Sequence, residues 1–543
     1  MRVPFCLMAY LICSIVVAGE TQRPTTTLRC EVVDADSSEP LPARVYVQSS
    51  DGQWLFAKSA SPDGSAVIYD KQRAAKSVEK HTTVSAHPFL VDVPTGQVTI
   101  RVERGKEYLP AEQSVEIGRD PVAVRIELKR WIDMAATGWY SGDTHVHRPL
   151  DELPNLLLAE DLNVGLPLTS WVTAAYMPPG SGGSKRAVDV EPKAIYVDST
   201  HVIYPVNTEY EIFTVGHKRH TLGAVFALGH KNRFSIGVPP VRAFAEQARR
   251  EGALLDLDKH SWAWSLMLVP VAGVDLFELA NNHCWRTEFA FRRWTIDTVP
   301  AYQRIQQDAG GLTEWGWIDF GFQTYYALLN CGFRMRPSAG TASGVHPVPL
   351  GFGRVYVHVP EKFSYERWMA GLAAGRSFVT TGPMLEIQVD GQSPGSTLSR
   401  QPQENSVVHV TGTASSARPL RPIEIVVNGK VVDRLAVANS ENANGGFESP
   451  IDTKVKLDGS SWIVVRAFEN RPDGRVRFAH SSPVHVDVAG KPLRPRRAEV
   501  DYLVRRMKEE LERNRDVLRP DALDEYRQAV AAYESLVAEA RDD

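Results

Sequence analysis

Two histidines one residue apart carry the sharpest chemical signal in the chain. The run Trp139-Tyr140-Ser141-Gly142-Asp143-Thr144-His145-Val146-His147-Arg148-Pro149 reads as a strand that ends in a turn. Residues i and i+2 of a strand share a face. His145 and His147 therefore aim both imidazoles at one point, and Asp143 lies on the same face as a ligand or as a group that orients one ring. Nitrogen and oxygen donors converging in this way suit a divalent cation such as zinc or manganese. A bare His-x-His pair also arises by chance, so the weight falls on what the rest of the chain adds.

Further candidates sit at punctuation points. Glu209 lies in Asn207-Thr208-Glu209-Tyr210-Glu211, an otherwise aromatic and β-branched strand. A buried acid there needs a partner, and a cation would be one. Glu211 shares its face and is its rival. His220 leads into an apolar strand and is preferred over His217, which sits among charged turn residues. His260 follows Leu254-Leu255-Asp256-Leu257-Asp258-Lys259; its plain alternative is a ring stacked among Trp262 and Trp264. Lys259 beside it could stabilise an anionic oxygen. His283 follows the apolar run Leu276-Phe277-Glu278-Leu279. His346 lies in Gly340-Thr341-Ala342-Ser343-Gly344-Val345-His346-Pro347, where small residues leave room close to the backbone. His87, His201, His230, His358, His409, His480 and His485 read as structural or surface residues.

The elements around these residues alternate between strand and helix. Helices are expected over 153–161, 239–252 and 321–331, and strands over 164–169, 202–215, 222–227, 254–257 and 276–279. Such alternation argues for a mainly parallel, barrel-like α/β domain. Reactive groups in such domains gather at the carboxyl ends of strands. On either side the pattern changes to short strands with Gly and Pro turns, which suggests small antiparallel sandwiches over residues 26–130 and 384–490. Residues 138–383 form the central domain, and residues 494–543 a charged helical tail, read as a hairpin packed on the body.

Composition sets the bounds. A chain of 543 residues exceeds one core. A net charge of −4 gives no case for nucleic-acid binding. Residues 1–19 read as an export leader, with Arg2 ahead of a short apolar run and Ala18-Gly19 for cleavage. No later stretch is long and apolar enough to span a bilayer. The expected location is periplasmic or extracellular. Cys30, Cys284 and Cys331 remain after the leader; they allow at most one bridge, and nothing in the sequence selects a pair.

Gly142-Asp143-Thr144-His145-Val146-His147 resembles the first motif of the polymerase and histidinol phosphatase (PHP) superfamily, in particular its CehA/McbA-type metallohydrolases. Arg376-Ser377-Phe378-Val379-Thr380-Thr381-Gly382-Pro383-Met384-Leu385 resembles that family's Thr-Gly-Pro signature, and Asp390-Gly391 with Pro394-Gly395 its usual sequel. The run from Val32 to Asp34 with Pro42-Ala43-Arg44-Val45-Tyr46-Val47 resembles carboxypeptidase regulatory-like domains, which serve as spacers or docking modules. The resemblance implies a distorted (β/α)7 barrel and metal-dependent hydrolysis. It puts Glu209, His220, His260 and His346 where later ligands fall. The chain departs from the family in two places. Leu168-Thr169-Ser170-Trp171 stands where a Thr-Asp-His step is usual, and the late Asp-x-His is reduced to His346.

Two functions follow as expectations. The first is an exported hydrolase holding one or two zinc or manganese ions on His145, His147, Glu209 and His260 or His346. It would cleave an ester, phosphoester, carbamate or amide bond in a small-molecule or glycan-derived substrate, with Lys259, His283 or Asp143 moving protons or binding an oxyanion. The second, motivated by the missing step, is a catalytically degenerate barrel that binds carbohydrate or protein, with Trp262-Ala263-Trp264 and Trp315-Gly316-Trp317 as a platform.

Overall fold

The computed structural model describes residues 24–85, 88–285, 299–402 and 407–542; the leader expected over 1–19, and His87, lie outside them. The described chain is a mixed α/β protein built mostly of sheets. The strands that matter for the site are β1 (Trp139–Val146), β2 (Val164–Pro167), β3 (Ser170–Ala174), β4 (Asn207–Val215), β5 (Lys218–Leu228), β6 (Leu254–Leu257), β7 (Leu276–Ala280), β8 (Arg336–Ala339), β9 (Arg354–His358) and β10 (Ser377–Thr380). Several are short apolar runs buried on both faces, as β2, β6 and β7 are along their whole length.

These strands form two sheets. One runs Ile195–Tyr196, Val202–Ile203, β2, β1, β9, β10 and continues through Phe478–Ser481, Ser461–Phe468 and Ile423–Val427 to Lys430–Leu435. The other runs Ser184–Ala187, β3, β4, β5, β6, β7, β8. They are stitched together at both sides of β1. On one side β2 passes directly into β3. On the other, the chain after β8 bonds to the end of β1, with Ala342 N donating to His145 O (2.7 Å) and His147 N to Ser343 O (2.8 Å).

Pairing is mixed rather than mainly parallel. β1 with β2, β3 with β4, β6 with β7 and β7 with β8 are parallel. β4 with β5, β5 with β6, and β1 with β9 are antiparallel. The physical reason is local. Gly216 and His217 both have positive φ (53° and 65°), the two-residue turn that matches strand twist in a hairpin, so β4 and β5 need no crossover helix.

Helices Arg242–Glu251 and Glu314–Asn330 cover the expected segments with shifted ends. The second begins seven residues earlier than the expected 321, because the Thr313 side chain caps it by accepting from Gly316 N.

Before the central strands, two sheets share one apolar core that includes Leu28, Val32, Val45, Val91, Ile100 and Leu128. One of their pairings, Thr25–Asp34 with Val122–Leu128, is parallel, unlike the expected antiparallel arrangement. Arg44, 5% exposed, docks this region by pairing with Glu160 of the central region and Glu103 of its own. Helices Arg497–Asn514 and Pro520–Ser535 pack on each other and on Ala263–Leu268. The Tyr533 hydroxyl donates to Leu266 O (2.6 Å), and the Glu525 carboxylate accepts from Val241 N and Arg242 N at the start of helix Arg242–Glu251. Cys30, Cys284 and Cys331 are buried and unbridged. Among the described residues, no helix is long and apolar enough to cross a membrane.

Candidate metal centre

β1 ends with His145 and His147 pointing into the space between the two sheets. Their Nε2 atoms lie 3.2 Å apart, and His147 Nε2 is 3.3 Å from Glu209 Oε2. His145 Nδ1 is 2.9 Å from Glu278 Oε2 and 3.7 Å from Asp258 Oδ1. The five residues are 0–4% exposed. Three overlapping sets have donor atoms within 4.8 Å of one another: His145, His147 and Glu209; His145, Asp258 and Glu278; Glu209, Glu211 and Asp258.

The donor set fits a cation. When Glu278 accepts Nδ1–H of His145, Nε2 of His145 turns a lone pair toward Nε2 of His147. With Nε2 of His147 unprotonated as well, both lone pairs and the Glu209 carboxylate face a shared point that suits a cation; with Nε2 protonated, His147 donates to His145 Nε2 instead. Ligands about 2.0–2.1 Å from zinc stand about 3.4 Å apart at the corners of a tetrahedron, close to the 3.2 and 3.3 Å found. Buried atoms without hydrogen bonds cluster at the same place: His147 Nδ1, Glu209 Oε2, Asp258 Oδ1 and Glu278 Oε1. Orphaned buried polar atoms in such number call for an ion or water.

Electrostatics agrees. Burial pushes Glu209, Asp258 and Glu278 above the usual carboxylate range. Neighbouring acids raise two of them further, Glu211 and Asp258 acting on Glu209, and Asp258 and Asp256 on Glu278. Burial also raises Glu211, to about 7. Lys259, ion-paired with Asp258, lies among these acids. Burial pushes His145 well below the usual imidazole range, and His147 down to about 3, so both rings are neutral donors. A divalent cation would favour the ionised carboxylates and the neutral rings together.

The other expected residues fall into three groups. Asp143 is in none of the donor sets: its carboxylate accepts from Thr341 Oγ1 (2.5 Å), Gly351 N (3.0 Å), His145 N (3.1 Å) and Thr341 N (3.2 Å). It thereby clamps the loop after β8 onto β1. His260, His283 and His346 form a second row. His260 packs against Trp317 (4.5 Å) and Phe320 (4.8 Å), rather than against Trp262 and Trp264, and both its ring nitrogens lack hydrogen bonds. His283 lies 5.0 Å from Trp317 and 5.7 Å from His346. Burial first, and then the Lys259 charge among others, depresses all three rings, as it does His145 and His147. His220 is not brought to the site. Its Nε2 meets Asn514 Oδ1 at 2.6 Å on the tail helix, because β5 carries it to the far end of the hairpin.

Asp258 and Glu278 were not singled out as ligands from sequence. Each is an acid at the end of, or inside, an apolar strand, the same signal that marked Glu209. Where the Thr-Asp-His step is missing, Thr169 Oγ1 donates to Pro205 O (2.6 Å), and the Trp171 ring packs 4.6 Å from His147 while its Nε1 donates to Glu211 Oε2 (3.1 Å). Trp262, Trp264 and Trp317 are buried.

No protein-family model matches the sequence, and no curated protein does. Among solved structures, the chain is similar to a two-domain protein from Bacteroides vulgatus ATCC 8482 that contains a predicted PHP-like metal-dependent phosphoesterase. The identity is 9% and the TM-score 0.29, over 65% of this chain and 98% of that one. The functional reading therefore rests on the residues described above.

Proposed function

We propose that the chain is a metal-dependent hydrolase that holds one or two divalent cations, zinc or manganese, on His145, His147, Glu209, Asp258 and Glu278. The observation that carries this reading is the packing of neutral imidazoles and orphaned buried carboxyl oxygens into three overlapping donor sets. When bound, such a cation supplies Lewis acidity, which polarises a carbonyl or phosphoryl oxygen and makes water a better nucleophile at neutral pH.

The protein groups divide the remaining work. Glu278 orients His145 through Nδ1. Asp143 holds the strand end and the loop after β8 in register, a positioning role. Lys259 stays protonated among acids and offers N–H donors to a developing negative oxygen. His283, a neutral imidazole beside Lys259, can accept a proton and return it to the leaving group. The buried walls exclude bulk water. Ester, phosphoester, carbamate and amide bonds all suit these groups.

In this reading residues 138–383 form a distorted (β/α)7 barrel of the PHP type, nearest its CehA/McbA branch. Residues 26–130 and 384–490 are flanking sandwiches, residues 494–543 a packed tail, and residues 1–19 an export leader. The test is elemental analysis of the purified protein beside the His145→Ala/His147→Ala double variant, followed by a hydrolysis panel across the four bond types. Bound metal that disappears in the variant, with turnover that follows it, is expected. No metal in either protein, and no turnover after adding zinc or manganese, would sink the proposal.

A further inference from the structure

The N-terminal sheets reach the loop after β8, the same loop that bonds to the end of β1. Strands Ala66–Ala74 and Ser77–Val84 form a long hairpin whose side chains are locked onto the central region. The Tyr69 hydroxyl accepts from Gly344 N (2.9 Å) and donates to His346 O. The Arg148 guanidinium lies over the Tyr69 ring at 4.5 Å. Glu79, buried on the hairpin, accepts from Trp285 Nε1 (3.1 Å). Asn155 Nδ2 donates to Ser65 O (2.9 Å) at the hairpin's base. Such directed contacts fix the hairpin against the central region.

The tip of this hairpin presents Arg73. Its Nη1 lies 2.9 Å from both ring nitrogens of His346. Arg73 is exposed, and among the described residues its polar contacts are with His346. His346 is only half-buried, and its ring faces that of His283 at 5.7 Å. Arg73, His346 and His283 thus contact one another in turn, from an exposed residue to a buried one. A guanidinium offers five N–H donors in a fixed fork that fits planar or tetrahedral oxyanions. A neutral imidazole can satisfy one of them, and Nε and Nη2 remain available.

We propose that Arg73 is a specificity-determining residue contributed by the N-terminal region, and that it selects substrates carrying an oxyanion, carboxylate or phosphate, at the rim of the site. This rests on the hydrolase reading for its biological meaning, but the binding itself is measurable without turnover. The experiment is titration calorimetry of the metal-loaded full chain with inorganic phosphate and with succinate, on the wild type, Arg73→Ala and Arg73→Lys. Loss of about 1.5–3 kcal/mol of charged hydrogen bonding corresponds to a weakening of roughly ten- to a hundredfold in Arg73→Ala, with Arg73→Lys between. Which of the two probes binds names the source of the oxyanion. A second readout is the preference ratio between an anionic and a neutral 4-nitrophenyl ester, expected to collapse through KM rather than kcat. The melting temperature and metal content of the variants verify that fold and centre are intact. Wild type that binds neither probe, or Arg73→Ala that binds as wild type does, overturns the proposal. Absence of turnover with binding intact overturns the hydrolase reading alone.

Discussion

Gly340 offers a clean perturbation of the metal centre from a residue that is not a ligand. It follows β8, where the chain crosses behind His145. A Cβ added there would stand 2.2 Å from His145 Cβ and 2.9 Å from both Cδ and Oε2 of Glu278. Carbon atoms pack at about 3.5–4.0 Å, so the new methyl is roughly 1.3 Å too close. The obstructing atom is a Cβ next to the backbone, so it cannot swing away as a side-chain tip would. Gly340→Ala must therefore shift β1 or β8 at the ligands themselves. Overpacking of this kind costs about 1–3 kcal/mol. Misplacing a residue that orients a ligand typically weakens metal binding about 10–100-fold, or about 1.4–2.8 kcal/mol. The assay is competition for zinc or manganese against a chromophoric chelator, with thermal unfolding of the metal-free protein alongside. Gly118→Ala is the control, since a Cβ at Gly118 meets nothing within 4 Å. Wild-type affinity and stoichiometry in Gly340→Ala would refute the argument that His145 and Glu278 form one rigid half of the centre.

Other outcomes follow from the same packing. Glu278→Gln replaces a buried carboxyl, which the metal-free protein must hold protonated at a cost in stability, by a neutral amide; the metal-free variant is expected to melt above wild type and to gain less from added metal, and the reverse order would count against the mutual raising of these acids. Glu525→Ala strips the acceptor from Val241 N and Arg242 N, which should cost about 1–3 kcal/mol of stability by chemical denaturation; Glu525→Gln should recover part of it. His480 is fully buried, with Nδ1–H donating to Ser481 O (2.8 Å) and Nε2 accepting from the Tyr326 hydroxyl (2.8 Å). Burial holds its pKa down at about 3, against about 6.5 when unfolded. The unfolded chain then takes up the extra proton, so this stability is present above pH 6.5 and drains as pH falls toward 3, at up to about 1.4 kcal/mol per pH unit. His480→Gln should flatten the dependence between pH 6 and 4; parallel slopes for the two proteins would remove His480 as its source.

Much of the site can be read from local pattern. His145, His147 and Glu209 are marked by the two-residue strand period and by an acid in an apolar run. Asp258 and Glu278 carry the same mark, yet neighbouring histidines draw the eye to Lys259-His260 and Asn282-His283 instead. Helix Glu314–Asn330 is obscured by Gly316 and Gly321; the latter is explained only in three dimensions, since a Cβ on Gly321 would lie 3.3 Å from His260 Cε1. His220 looks like a ligand because it opens an apolar strand, but hairpin length decides which end of β5 it occupies. The contact of Arg73 with His346 joins residues 273 apart, and no periodicity encodes it. Local chemistry is legible where one element holds it, and illegible where two distant elements must meet.

The sheet that contains β1 has a temporal consequence. β1 pairs with β9, β9 with β10, and β10 with Phe478–Ser481. A strand carrying the two key histidines therefore emerges from the ribosome long before its lateral support does. At ordinary elongation rates the wait is on the order of tens of seconds. During it, the edge of β1 meant for β9 is open to wrong partners, and long-range pairing of this kind is slow to form in any case. The N-terminal sheets, complete by residue 128, are ready first. A shortened chain ending at the Thr-Gly-Pro signature would lack Phe478–Ser481 and leave β10 as a bare edge. Expression of such a fragment should yield aggregate, whereas the full chain should recover once its last strands arrive.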